Sequence, residues 1–151
     1  MRQRWLRMAA LLAFGLALGL LWNAASGRGI ALTKNVFIKA EDDVIEAKDA
    51  KTRLDKGALF LDARPIDFYK MEHIPGALPL PEPDFEAAFV KLEPRLRTSF
   101  DIVVYCSGWG CEASHIVAAK LRERGIHAAI LHEGWPAWTG AGYPTKAGDL
   151  P

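Results

Sequence analysis

The chain opens with one long apolar run and then changes to short ones. Met8 to Trp22 carries no charge, and Arg2, Arg4 and Arg7 precede it. Further on, the apolar stretches shrink to Ala58-Leu59-Phe60-Leu61-Asp62, Ile102 to Cys106, and Ala128-Ala129-Ile130-Leu131. Each is almost wholly apolar and bounded by polar residues or glycine. That pattern predicts strands buried on both faces. Val36-Phe37-Ile38 is a further short strand candidate. Asp42 or Asp43 can cap a helix running to about Asp55 and closed by Lys56-Gly57. Ile66 to Lys70 suits a single helical turn, Pro75-Gly76 a turn, and Ala77 to Pro81 extended chain. Asp84 can cap a helix whose buried face is Phe85, Phe89, Leu92 and Leu96. Cys111 to Arg124 reads as another helix, holding Ile116, Ala119 and Leu121 and ended by Gly125. Gly134 to Gly142 is rich in turn residues and carries Trp135 and Trp138, with Tyr143 next. Strands separated by helices predict a parallel α/β sheet. Ligands bind such sheets at the carboxyl ends of the strands, and Cys106 falls at one of those ends.

The first run changes the picture of the whole. Residues 1–29 read as an N-terminal membrane anchor or signal segment with a short linker, Ser26-Gly27-Arg28-Gly29, and residues 30–151 as one domain. A spanning helix needs ~20 apolar residues, which residues 8–27 supply. Trp22-Asn23-Ala24-Ala25 suits signal cleavage poorly, because Trp or Asn falls where a small residue is needed. The anchor is therefore the first expectation and secretion after cleavage the alternative. The arginines belong on the cytoplasmic side, with Trp5 and Trp22 at the two interfaces. This predicts a single pass through the inner (cytoplasmic) membrane, with the domain facing the periplasm or exterior. The net charge of +1 predicts no nucleic-acid partner and no strong steering of anions. Two cysteines are too few for a disulfide framework. No metal site and no cofactor is expected.

The chemistry concentrates in Val103-Val104-Tyr105-Cys106-Ser107-Gly108-Trp109-Gly110-Cys111-Glu112-Ala113-Ser114. An apolar strand delivers a thiol into a short loop that runs into a helix. Unpaired N–H groups and the positive end of the helix dipole favour a thiolate there. Gly108 and Gly110 let backbone amides turn inward as a cradle for an anion or a charged sulfur. Glu112 opposes this by raising a nearby thiol pKa.

Four segments, in this order and spacing, resemble the rhodanese (sulfurtransferase) domain over about residues 44–146. They are Leu61-Asp62-Ala63-Arg64, His73-Ile74-Pro75-Gly76-Ala77, Val103-Val104-Tyr105-Cys106 and Glu133-Gly134-Trp135-Pro136-Ala137-Trp138. Ala141-Gly142-Tyr143-Pro144 completes the pattern. The resemblance implies an α/β fold with a five-stranded parallel sheet flanked by helices. It implies that Cys106 accepts a sulfane sulfur as a persulfide, with the amides of Ser107, Gly108, Trp109, Gly110 and Cys111 around it. The chain departs from the pattern at the sixth loop position. Active loops of the family often carry Arg there, and this chain has Cys111 followed by Glu112. With no positive side chain in the loop, thiosulfate, a dianion, is a doubtful donor, and a phosphate would be repelled.

Cys111 has three readings: it resolves the Cys106 persulfide and releases sulfide, it forms a protective disulfide outside the cytoplasm, or it is a passive residue at the helix start. A two-cysteine site for a soft metal is the weaker option. Asp62 is expected to accept loop amides or to pair with Arg64 as scaffold. Ser107 and Ser114 are candidate donors to the sulfur. Trp109, at the loop tip, is expected to shield the persulfide or dock a protein partner. His73 reads as packing, as do Trp135 and Trp138, and His115, His127 and His132 show no ligand spacing. The expected activity is a membrane-tethered sulfurtransferase that takes sulfur from a small-molecule donor and passes it to a thiol or cyanide acceptor. The alternatives are a Cys106/Cys111 thiol–disulfide module and a non-catalytic binding module on the same fold.

Overall fold

The computed structural model describes residues 2–25 and 41–148. The chain separates into two compact units, Met1–Val36 and Phe37–Pro151. The linker Ser26 to Gly29 and the strand candidate Val36-Phe37-Ile38 lie outside the described residues.

Among the described residues the first unit contains one helix, α1 (Arg2–Ala25), of 24 residues and strongly apolar. It buries no residue and carries no apolar stripe along one side. At 1.5 Å per residue it is about 36 Å long, so length and composition suffice to cross a bilayer. A signal sequence passes the same test.

The second unit runs β1 (Val44–Ile45), α2 (Ala47–Asp55), β2 (Leu59–Asp62), α3 (Ile66–Met71), β3 (Leu78–Pro79), α4 (Phe85–Thr98), β4 (Ile102–Tyr105), α5 (Ala113–Glu123), β5 (Ala129–Leu131) and α6 (Gly134–Gly140). The five strands pair in the order β1-β5-β4-β2-β3, every pair parallel. Side chains alternate across the sheet, as the pleat requires. Leu59, Leu61, Ile102 and Val104 face one way, onto Phe85, Phe89 and Leu96 of α4 and Val117 and Leu121 of α5. Phe60, Val103, Tyr105, Ala129 and Leu131 face the other way, onto Ala50 of α2, Tyr69 of α3 and Trp138 of α6. This is the expected α/β architecture: a five-stranded parallel sheet flanked by helices.

Three local expectations are corrected. Asp42 and Asp43 do not cap a helix; the chain makes β1 first, and Glu46 occupies the N-cap of α2. The sheet wins because Asp43 and Ile45 carbonyls accept the N–H groups of Ile130 and His132 at 2.7 and 2.8 Å. Asp84 stands at the N-cap of α4, but its side chain makes no capping bond, and Leu92 is half-buried at the margin of the core. The turn-rich segment after Glu133 is largely helical. Pro136 lies in the first turn of α6, where a missing N–H costs nothing.

Candidate active site

Cys106 follows directly on β4, at the carboxyl edge of the sheet. Register places Asp62 of β2 beside Tyr105, and the Ala63 N–H bonds the Tyr105 carbonyl at 2.9 Å. The ends of these two central strands are therefore locked together. The Cys106 carbonyl accepts the Trp135 N–H at 2.8 Å, and the Cys111 N–H bonds the Gly108 carbonyl at 3.0 Å. A loop pinned this way reverses within a few residues, and Gly108 and Gly110 absorb the turn with φ of +114° and +76°. A Cβ on Gly108 would lie 2.9 Å from Pro136 Cγ. The two cysteines are joined by a disulfide, with Cα atoms 6.4 Å apart, within the span such a bond needs. Cys106 is only 3% exposed, while Cys111 is partly exposed just before the N-cap of α5, Glu112.

Beneath the loop lies a buried polar cluster. Asp62 is fully buried and accepts the Arg64 backbone N–H at 3.0 Å, Arg64 Nε at 2.9 Å and Arg64 Nη2 at 2.7 Å. The second nitrogen of the fork also donates to the Glu72 carbonyl at 2.7 Å. The Tyr105 hydroxyl donates to Asp62 at 2.7 Å and accepts the Ile74 N–H at 3.2 Å. The guanidinium lies 4.4 Å from the centre of the Trp135 ring, a cation–π contact. Burial lowers the Arg64 pKa, but the hydrogen bond and charge of Asp62 outweigh it and leave the guanidinium above its ordinary value. Burial, then the charge and hydrogen bond of Asp62, push the Tyr105 hydroxyl far above the usual tyrosine range.

An open pocket of about 380 Å³ borders the loop, lined by Arg64, Phe68, Met71, Glu72, Ser107 and Trp135. Phe68 and Met71 are 49% and 71% exposed, so part of its lining is exposed apolar surface beside Arg64, Glu72 and Ser107. The remaining candidates distribute as follows. Ser114 is buried in the first turn of α5. Trp109 is half-exposed, edge-on to His132 at 5.6 Å. His73 stacks on Tyr69 at 3.9 Å. His115 Nδ1 lies 2.7 Å from Asp42. Sequence reasoning placed the Glu133-Gly134 pair in the family pattern but gave it no role. Both residues take positive φ, 57° and 56°, and a Cβ on Gly134 would run into the Cys106 carbonyl. It also took Trp135 for packing alone, whereas Trp135 holds Cys106 through its backbone and Arg64 through its ring.

The rhodanese-like domain family matches residues 46–141, more than half of the chain. The chain belongs to the rhodanese-like domain family. Among solved structures it is similar to the rhodanese-like domain of an Anabaena sp. protein, 31% identical with a TM-score of 0.59, covering 70% of this chain and 80% of that one. It is also similar to thiosulfate sulfurtransferase from Pseudomonas aeruginosa, 27% identical with a TM-score of 0.58, over 72% of this chain and 21% of that one. A protein from Bacillus halodurans at 24% identity and a TM-score of 0.61, covering 68% and 75%, shares the fold. A curated relative is an HTH-type transcriptional regulator of Mycobacterium tuberculosis, 28% identical over 120 residues and 79% of this chain. The chain spans about half the length of that relative, 51%. The rhodanese-like domain here thus keeps the family's fold but closes its loop with a second cysteine.

Proposed function

We propose that this rhodanese-like protein is a sulfurtransferase that carries sulfane sulfur as a persulfide on Cys106. The observation that carries the reading is Cys106 at the carboxyl end of β4, in a glycine-turned loop beside an open pocket. Once the disulfide is reduced, the Cys106 thiolate attacks the outer sulfur of a donor. The donor's own sulfur leaves as a thiolate, and Cys106 holds the persulfide. The loop amides stabilise its charge, and a thiol or cyanide then takes the outer sulfur. The donor is an organic persulfide rather than thiosulfate. The loop has no basic side chain, the Arg64 charge is matched by Asp62, and Phe68, Met71 and Trp135 give the pocket apolar surface for an organic group. Trp109 screens the sulfur or docks a protein partner, and Ser107 and Ser114 support the loop. The likeness to thiosulfate sulfurtransferase over the matched region supports the reaction class. α1 anchors the protein to the inner membrane with the domain outside the cytoplasm, where disulfides persist; intact mass of the membrane-fraction protein tests this against cleavage.

A second reading, a thiol–disulfide module, is favoured by the Cys106–Cys111 bond itself. Mass spectrometry of the reduced protein after exposure to glutathione persulfide or thiosulfate separates the two. With Cys111→Ser in place, so that no second thiol can discharge the persulfide, the transferase gains one sulfur in a manner that requires Cys106. The redox module never takes up sulfur, even with Cys111→Ser, and only loses two hydrogens under oxidant.

A further inference from the structure

We infer that Cys111 discharges the Cys106 persulfide as sulfide, so that the domain is a sulfane-sulfur reductase that closes its own disulfide. The inference rests on the reading of Cys106 as a sulfur acceptor and adds an activity to it. The structure places the Cys111 sulfur against Cys106 Sγ, with the loop in its pinned geometry and Cα atoms 6.4 Å apart. That is the inner sulfur of a persulfide on Cys106. Cys111 enters α5, an 11-residue helix, from its N-terminal side, where the helix dipole favours the attacking thiolate.

The reaction balances within the loop. The Cys111 thiolate attacks Cys106 Sγ and the Sγ–Sγ bond forms. The bond from Cys106 Sγ to the sulfane sulfur breaks, and hydrosulfide leaves with its electron pair and its proton. From dithiol to disulfide, over uptake and discharge together, each cysteine sulfur gives up one electron, and the two electrons cleave the donor's sulfur–sulfur bond to a thiolate and hydrosulfide. Reopening takes a dithiol reductant. Its first thiolate meets the better exposed sulfur, Cys111, because Cys106 is 3% exposed. Cys106 then leaves as a thiolate, ready for the next donor. The reductant's second thiol frees Cys111 and takes the disulfide.

The test is a single turnover of the full chain in detergent, reduced and freed of reductant, then mixed with one equivalent of glutathione persulfide. Sulfide release and intact mass are read together on the wild type, Cys111→Ser, Cys111→Ala and Cys106→Ser. The expected result is one sulfide per wild-type chain, with loss of two hydrogens and no added sulfur. Both Cys111 variants keep one extra sulfur and release sulfide about a hundredfold more slowly, since an intramolecular attack has been removed. A wild type that holds a stable persulfide, or Cys111 variants that release sulfide as fast as the wild type, overturns the inference while leaving the transferase standing. Cys111 variants that take up no sulfur overturn both.

Discussion

The loop from Cys106 to Cys111 and the cluster beneath it solve opposite problems. The loop has glycines, a tryptophan and two sulfurs but no cation, and its outer half is exposed. The cluster of Asp62, Arg64 and Tyr105 holds full charges with almost no solvent contact. An anion-binding site would place its arginine at the sulfur. Here the arginine is spent inside the scaffold, on Asp62, the Glu72 carbonyl and the Trp135 ring. The charge thus fixes the position of the strand ends and is not turned toward the loop. On the proposed role of Cys106, reactivity and rigidity fall to separate layers, so each can be damaged alone.

The sharpest break of that separation is Cys106→Ser. Sulfur transfer should fall by about 10³-fold or more, as for loss of a nucleophile, while the urea midpoint of the reduced protein stays near that of the reduced wild type. Asp62→Asn should do the reverse. It leaves Arg64 buried without its counter-charge, which costs about 3–5 kcal/mol in urea unfolding. Gly134→Ala joins the layers, because it pushes on the Cys106 carbonyl at a residue with φ of +56°. Strain and overpacking should cost about 1–3 kcal/mol and also slow persulfide formation. If stability falls but the rate per folded molecule does not, the hold on Cys106 is unimportant to the chemistry.

Tyr105→Phe is gentler. Loss of its hydrogen bonds should cost about 1–2 kcal/mol, and the pH profile gives a second readout. The Tyr105 pKa is raised in the folded state by burial and Asp62, against about 10 in the unfolded chain. Below that pH both states hold the proton and stability is intact. As pH climbs past 10 the unfolded state releases the proton and the folded state does not, so stability falls. Tyr69, raised by burial and then Asp62, adds to this slope. Alkaline denaturation should therefore be shallower in Tyr105→Phe. Trp109→Ala should be the smallest effect, within about 0.5 kcal/mol in stability, because it is a half-exposed loop residue. A shortened persulfide lifetime would mark it as the screen.

Much of the sheet is legible in the sequence because β2, β4 and β5 are buried on both faces and so read as unbroken apolar runs. β1 escapes because it has two residues among acidic neighbours, and only its pairing with β5 makes it a strand. α6 escapes because glycine, proline and tryptophan are locally turn-like, and packing of Trp138 against Phe60 and Tyr143 overrides that preference. Cys106 stands out through local context, strand then glycine loop. The Tyr105–Asp62 link and the grip of Trp135 on Cys106 join residues 43 apart or on different elements, so they follow from strand register rather than any local pattern. The disulfide is intermediate: the spacing admits it, and only the fold of the loop brings the two cysteines together.

The hydrogen bond from the Trp135 N–H to the Cys106 carbonyl also sets an order of events during synthesis. Cys106 leaves the ribosome well before the segment that restrains it, and until Glu133-Gly134-Trp135 follows, its loop lacks that backbone anchor. Any nonsense codon or proteolytic cut between residues 112 and 134 would yield a fragment that retains both thiols but not the structure that aims them. Such a fragment carries both cysteines without that backbone anchor, so it is not simply a weakened form of the domain.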